Sequence, residues 1–243
     1  MGDYKTNHTI HWQPADSAPA LFPGGLHLWR IQADARGDDL DVALGLLGER
    51  QQQRAQGMGH AAYRERYIRA QAGLRRVLGL YLGCAPQAVI YKHGPAGKPA
   101  IDQADDGGLE FNLTTTADLA LVAISRGAEV GIDCEWIRPR RDLEAVARRM
   151  FAPDQVTELL TTPQPKRLAY FYRAWTALEA DAKADGRGLF RPRPPGACPP
   201  RVSHCCPAPG HVAAVARAQL PPLDQWFTLE MAPRRSATRP GSD

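Results

Sequence analysis

Gly131-Ile132-Asp133-Cys134-Glu135 follows an apolar run, Leu119 to Ser125, across a turn signal at Arg126-Gly127. That layout reads as the second strand of a hairpin. Side chains alternate along a strand, so Asp133 and Glu135 share one face while Ile132 and Cys134 take the other. Farther along stands Trp175-Thr176-Ala177-Leu178-Glu179-Ala180-Asp181-Ala182-Lys183, closed by Gly186-Arg187-Gly188-Leu189. Leu168, Phe171, Tyr172 and Trp175 precede it at three- and four-residue steps, the period of a helix. Trp175, Glu179 and Lys183 then fall on one side of that helix. Two carboxylates from a strand and one from a helix form an oxygen set suited to a hard divalent cation such as Mg²⁺. A lysine one turn beyond Glu179 can hold a phosphate that the cation also touches.

Working outward, Leu26 to Ile31 reads as a strand, and Leu40 to Gln53 and Tyr63 to Leu82 read as helices. The second helix has an apolar stripe of Tyr67, Leu74, Leu78 and Leu82, with Arg64, Arg69 and Arg76 opposite and Arg66 and Arg75 flanking. Gly94 to Pro99 is a turn, Leu109 to Leu113 and Leu119 to Ser125 are strands, and Leu143 to Met150, Pro153 to Leu160 and Lys166 to Ala184 are helices. Strands and helices are intermixed, so the fold class is α/β, of the α+β kind.

The order of these motifs resembles the Sfp-type 4′-phosphopantetheinyl transferases. That family carries a Gly-Ile-Asp strand and, some forty-odd residues on, Trp-x-x-Lys-Glu-x-x-x-Lys; Asp133 and Glu179 meet the spacing. Upstream, Gly97-Lys98-Pro99 and Phe111-Asn112-Leu113 stand where the family has Gly-Lys-Pro and Phe-Asn-Leu/Ile-Ser-His-Ser. Arg66-Tyr67-Ile68-Arg69 and Leu74-Arg75 resemble its arginine-bearing first long helix. The resemblance runs from about Leu26 to Leu189. It implies two similar α/β halves about a pseudo-twofold axis, here 26–128 and 129–231, after a loose leader 1–25 and before a disordered tail 232–243. It also implies transfer of the 4′-phosphopantetheine arm of coenzyme A to a serine of an acyl or peptidyl carrier protein, with Mg²⁺ bound and 3′,5′-ADP released. By the same token Asp133, Glu135 and Glu179 are the expected metal ligands, and Glu179 and Lys183 the expected catalytic pair. Arg54, Arg66, Lys98, Thr115 and Lys183 are the expected coenzyme contacts. The alternative is an impaired relative that binds coenzyme A or a carrier protein without efficient transfer.

Three departures bear on that alternative. Thr114-Thr115-Thr116 replaces Ser-His-Ser, so a short uncharged hydroxyl stands at Thr115 where the family has a histidine. Leu178 replaces the lysine before the helical glutamate. Residues 190–210 hold seven of the 21 prolines and three of the five cysteines, an irregular insert of the kind that compensating frameshifts or a divergent surface loop would produce. Proline cannot donate to a ladder, so this stretch is not expected to form central strands.

Composition sets outer bounds. A chain of 243 residues, 44% hydrophobic and 23% charged, is ordinary for a soluble globular protein. No apolar run is long enough to span a membrane, and no signal-peptide layout appears, so cytoplasm is expected. Of the 30 basic residues 25 are arginine, whose planar forks suit phosphate oxygens. They are dispersed rather than striped with aromatics, so no nucleic-acid partner is expected. The assembly expected is a monomer. Cys198, His204, Cys205, Cys206 and His211 lack the ligand gaps of structural zinc and are expected to bind nothing.

Overall fold

The structure, a computed structural model, describes residues 8–33, 40–94, 97–103, 107–193 and 195–231. In chain order the elements are β1 (Gln13–Ala15), β2 (Leu26–Gln32), α1 (Leu40–Gly45), α2 (Glu49–Gln56), α3 (Ala61–Leu82), β3 (Tyr91–His93), β4 (Pro99–Ile101), β5 (Leu109–Thr116), β6 (Leu119–Arg126) and β7 (Val130–Trp136). There follow α4 (Leu143–Met150), α5 (Pro153–Thr161), α6 (Gln164–Ala184), β8 (Arg201–Cys205), β9 (His211–Arg217) and β10 (Phe227–Met231). The mixed α/β architecture agrees with the fold expected from sequence.

A five-stranded sheet runs β1-β10-β2-β6-β5, and a three-stranded sheet runs β7-β9-β8. β6 explains why Leu119 to Ser125 is apolar without alternation. Ala120, Val122 and Ile124 pack with Trp29, Ile31, Phe111 and the α3 residues Ala70, Leu74, Val77 and Leu78. Leu119, Leu121 and Ala123 pack on the other side with Val130, Ile132 and Cys134 of β7 and Ala213 and Val215 of β9. A strand covered on both faces reads as a continuous hydrophobic run. The layers are therefore α3, the larger sheet, the smaller sheet and α6, whose Ala180 and Ala184 meet Ala214 and Ala216 of β9.

The expected hairpin between the two strands joined at Arg126-Gly127 does not form. β6 already has β2 on one edge and β5 on the other, so β7 finds no free edge and crosses to the smaller sheet, where it pairs antiparallel with β9. The helix expected over 40–53 breaks into α1 and α2; Gly48 caps α2, and Gln51 reaches back to accept from its amide at 3.1 Å. Arg75, expected at the flank of α3, is buried; it donates to Gln51 Oε1 and to the carbonyls of Pro86 and Val89.

Of the leader expected over 1–25, residues 8–25 are described, and they contain β1. β1 pairs parallel with β10, and Trp12 Nε1 donates to the Pro207 carbonyl at 2.8 Å. The insert expected to be irregular over 190–210 contains β8, paired antiparallel with β9 from Arg201 to Cys205. None of the seven prolines lies inside β8; they precede it or follow it into the β8–β9 connection. Within this stretch His204 Nε2 sits 2.9 Å from the Arg173 carbonyl oxygen, and Cys205 is buried in the core. The tail 232–243 lies outside the described residues.

Candidate active site

Gly131 sets the geometry of the site. A Cβ added there would lie 2.0 Å from the Ala180 carbonyl oxygen and 2.4 Å from the Ala184 amide nitrogen, both backbone atoms of α6. Only glycine permits that approach. It seats the last turns of α6 directly on β7, and Lys183 Nζ consequently reaches Asp133 Oδ1 at 2.6 Å. Pro165 in the first turn of α6 and Pro153 at the start of α5 are placed where the helix needs no amide donor.

Asp133 is buried at 5% exposure. Its Oδ1 accepts from Lys183 and, at 3.1 Å, from the Thr114 hydroxyl. Its Oδ2 is buried and has no hydrogen-bond partner among the described residues. A buried carboxylate oxygen without a partner is costly, which marks the place where a ligand would complete the set. Glu135 and Glu179 both carry raised pKa values. For Glu135 burial is the main cause, the Asp133 charge adds to it, and Lys183, Arg138 and a hydrogen bond from Trp175 oppose it. For Glu179 burial again leads, Lys183 opposes and Asp133 adds. The Asp133 charge thus reaches both glutamates, one on its own strand and one on α6.

They do not form a closed cage. Among the described residues no group of three or more His, Cys, Asp or Glu is arranged to hold a metal ion. Mg²⁺ seldom asks for one, since it keeps several waters and binds through one or two carboxylates plus substrate phosphates. The all-oxygen donor set and the unpartnered Asp133 Oδ2 fit that mode.

Two cavities adjoin at this point. One of about 240 Å³ is lined by Lys98, Glu179, Lys183, Gly186, Gly188 and Leu189 among others. The second, about 780 Å³, is lined by Arg50, Arg54, Tyr67, Arg75, Tyr91 and His93 among others. Gly97, Pro99, Asn112 and Leu113 wall both, so the two make one cleft with Glu179, Lys98 and Lys183 at one end and guanidinium groups at the other.

The residues expected to meet the coenzyme are not all in that cleft. Arg54 lines it, its guanidinium 5.3 Å from the Tyr67 ring. Lys98 lines it too, but its ammonium donates to the carbonyls of Ala184 and Val130, and burial pushes its pKa down. Thr115 is exposed and lines neither part, although it shares a face of β5 with Leu113, which lines both. Arg66 belongs to a separate cavity of about 650 Å³ with Tyr63, Glu135, Trp136, Arg138 and His211, and it pairs with Asp118. Leu178 packs against the aromatic cluster of Phe171 and Tyr172. A lysine at that position would have to leave this packing to approach the cleft.

Sequence reasoning passed over Asn112, Thr114 and Thr116. Their signal was present: polar residues at every second position of a strand otherwise rich in apolar and β-branched residues.

Residues 129–208, from the start of β7 to just past β8, match the model of the 4′-phosphopantetheinyl transferase superfamily. The chain is 35% identical over 181 residues to the 4′-phosphopantetheinyl transferase HetI of Nostoc sp., covering 74% of this chain and 76% of HetI. The chain belongs to the 4′-phosphopantetheinyl transferase superfamily. It is also 33% identical to the 4′-phosphopantetheinyl transferase AcpT of Escherichia coli strain K12, across 53% of this chain and 61% of AcpT. With the 4′-phosphopantetheinyl transferase Sfp of Bacillus subtilis the identity is 31%, across 40% of this chain and 41% of Sfp. The family match through residue 208 takes in β8; among the described residues of 190–200 no helix or strand forms.

Proposed function

We propose that this chain moves the 4′-phosphopantetheine arm of coenzyme A onto a serine hydroxyl of an acyl or peptidyl carrier protein, in a Mg²⁺-dependent reaction. The serine oxygen forms a bond to the β-phosphorus, the diphosphate bridge breaks, and 3′,5′-ADP leaves. One observation carries the proposal beyond family membership: the buried, unpartnered Asp133 Oδ2 stands beside Lys183 and Glu179, which line the cleft. Asp133, Glu135 and Glu179 are the groups that would hold Mg²⁺, which when bound offsets charge on the diphosphate.

The chain's own groups account for the rest. Glu179, which lines the cleft, is the group that accepts the serine proton. Lys183, 30% exposed on its side chain, lines the cleft and presents its ammonium to the nonbridging oxygens. Arg54 and neighbouring Arg50 meet the nucleotide phosphates at the far end, where guanidinium forks match phosphate geometry. Cytoplasmic location and action as a monomer belong to the same proposal; no helix among the described residues is long and apolar enough to cross a membrane.

The test is incubation of the purified chain with Mg²⁺, coenzyme A and a panel of apo carrier proteins of fatty-acid, polyketide and nonribosomal-peptide types. The expected result is a gain of about 340 Da on at least one carrier, abolished by a chelator, as metal-assisted displacement requires. Binding of coenzyme A without any mass gain would select the impaired alternative.

A further inference from the structure

β7 is an edge strand of the smaller sheet and β5 an edge strand of the larger one. An edge leaves amides unpaired, and here β7 turns its free edge toward β5. Three side chains satisfy those amides in place of a backbone ladder. Ile132 N donates to Asn112 Oδ1 at 2.9 Å, Cys134 N to Thr114 Oγ1 at 3.3 Å, and Trp136 N to Thr116 Oγ1 at 3.2 Å. The two-residue period of β5 matches the two-residue period of β7, so the register of the two sheets is set by side chains.

Thr114 differs from the other two. Its hydroxyl accepts from the Cys134 amide and then must direct its own hydrogen elsewhere, and that hydrogen goes to Asp133 Oδ1. Both contacts are buried. The backbone of β7 therefore fixes the hydroxyl, and the hydroxyl fixes the carboxylate. With Oδ1 held by Thr114 and Lys183, the carboxylate plane is set and Oδ2 is the oxygen left without a partner.

We propose that Thr114 is a positioning residue: it orients Asp133 so that Oδ2 is presented to a divalent cation. This rests on the assignment of Asp133 to the cation made above. Groups that orient a ligating carboxylate typically change metal affinity by about 10- to 100-fold when lost. A role confined to joining the sheets would lower stability and leave cation affinity alone.

Mn²⁺ serves as the probe, its free concentration followed by electron paramagnetic resonance in a titration of the full chain, with thermal melting measured in parallel. Thr114→Val keeps the shape and removes the hydroxyl; it is expected to weaken Mn²⁺ binding roughly tenfold. Thr114→Ser restores the hydroxyl and is expected to bind within about twofold of the parent, a spread well inside what a retained hydrogen bond allows. Thr116→Val removes the corresponding, exposed amide contact at Trp136 without touching Asp133; it is expected to lower the melting temperature less and leave Mn²⁺ affinity unchanged. Should Thr114→Val fail to fold, Thr114→Ala takes its place. Unaltered Mn²⁺ affinity in the hydroxyl-free variant, or equal loss in Thr116→Val, would overturn the positioning role while leaving Asp133 as a ligand. If the parent chain binds no Mn²⁺ even with coenzyme A present, the assignment of Asp133 falls first and the positioning role with it.

Discussion

Two long helices close onto strands through a glycine, and the two seams hold opposite contents. Where α3 meets β2 the glycine is on the helix: a Cβ on Gly73 would lie 2.6 Å from the Ile31 side chain. Around it stand Trp29, Ala70, Leu74, Val77 and Leu78, all buried and apolar. The polar groups at that seam are paired, with Trp29 Nε1 donating to Tyr81 Oη at 2.8 Å and Tyr81 lying 2.7 Å from His27 Nδ1. Where α6 meets β7 the glycine is on the strand, and the residues beside it are Asp133, Glu135, Glu179 and Lys183. One seam is dry packing that stabilises the fold. The other partly buries charged groups, which strengthens their fields and lowers stability at the same time. A close helix–strand approach thus carries apolar packing at one seam and the proposed site at the other.

The most damaging way to probe the contrast is to add one methyl at each glycine. Gly131→Ala drives a methyl into α6 backbone that cannot yield, and a loss of about 3 kcal/mol or more is expected. Gly73→Ala meets a side chain that can rotate, and it gains about 1 kcal/mol in helix propensity, so a net loss of roughly 1–2 kcal/mol is expected. Urea denaturation of both variants measures the difference. Equal costs would mean that α6 is not seated on β7 as described.

Acid sharpens the comparison from the dry side. His27 is buried, and burial lowers its pKa from 6.5 to about 4. Trp29 already donates to Tyr81 Oη, so the Tyr81 hydrogen points at His27 Nδ1 and leaves that nitrogen an acceptor. Between the two pKa values the unfolded chain binds a proton that the folded chain does not, so stability rises with pH through this window and is lost as pH falls from 6.5 toward 4. The swing is about 3 kcal/mol. His27→Gln, compared with the parent by denaturation at pH 4.5 and pH 7, should remove most of that dependence. An unchanged pH slope would show that His27 is not held neutral.

The smallest expected effect is at the rim of the charged seam. Arg187 and Arg193 each pair with both Asp181 and Asp185, holding the loop after α6 against its last turn. Gly186, Gly188 and Leu189 of that loop line the cleft. Arg193→Ala is expected to cost only about 0.5–1 kcal/mol, since the pairs are partly exposed. It should nevertheless quicken limited proteolysis within 190–200, read by mass spectrometry of the fragments. No change in cleavage would mean that the loop is held by other contacts.

Much of this was legible in the sequence. Apolar periodicity located α3 and α6, the continuous apolar run located β6, and the alternation in Gly131 to Glu135 put Asp133 and Glu135 on one face. What stayed hidden depended on partners far along the chain. The pairing of β7 with β9 was invisible because a turn signal before β7 pointed to the nearer strand. β8 was masked by the prolines around it, and β1 by its lack of pattern, since its strand partner, β10, lies far along the chain. The separation of Arg54 from Arg66 could not be read from helix positions alone, because Asp118, between β5 and β6, draws Arg66 into another cavity. The role of Thr114 needed the third dimension, for its partner lies on a strand that shares no backbone ladder with it.

The central claim is that the charged seam, and Asp133 within it, performs the transfer. Replacing Asp133 with asparagine keeps the size of the side chain and removes its charge, and the rate of arm transfer from coenzyme A to an apo carrier at ordinary Mg²⁺ measures the consequence. The account predicts a folded variant with a melting temperature close to the parent's and transfer reduced by roughly 10³-fold or more, the scale on which electrostatic stabilisation of phosphoryl chemistry operates. Transfer by Asp133→Asn within a few-fold of the parent would contradict it.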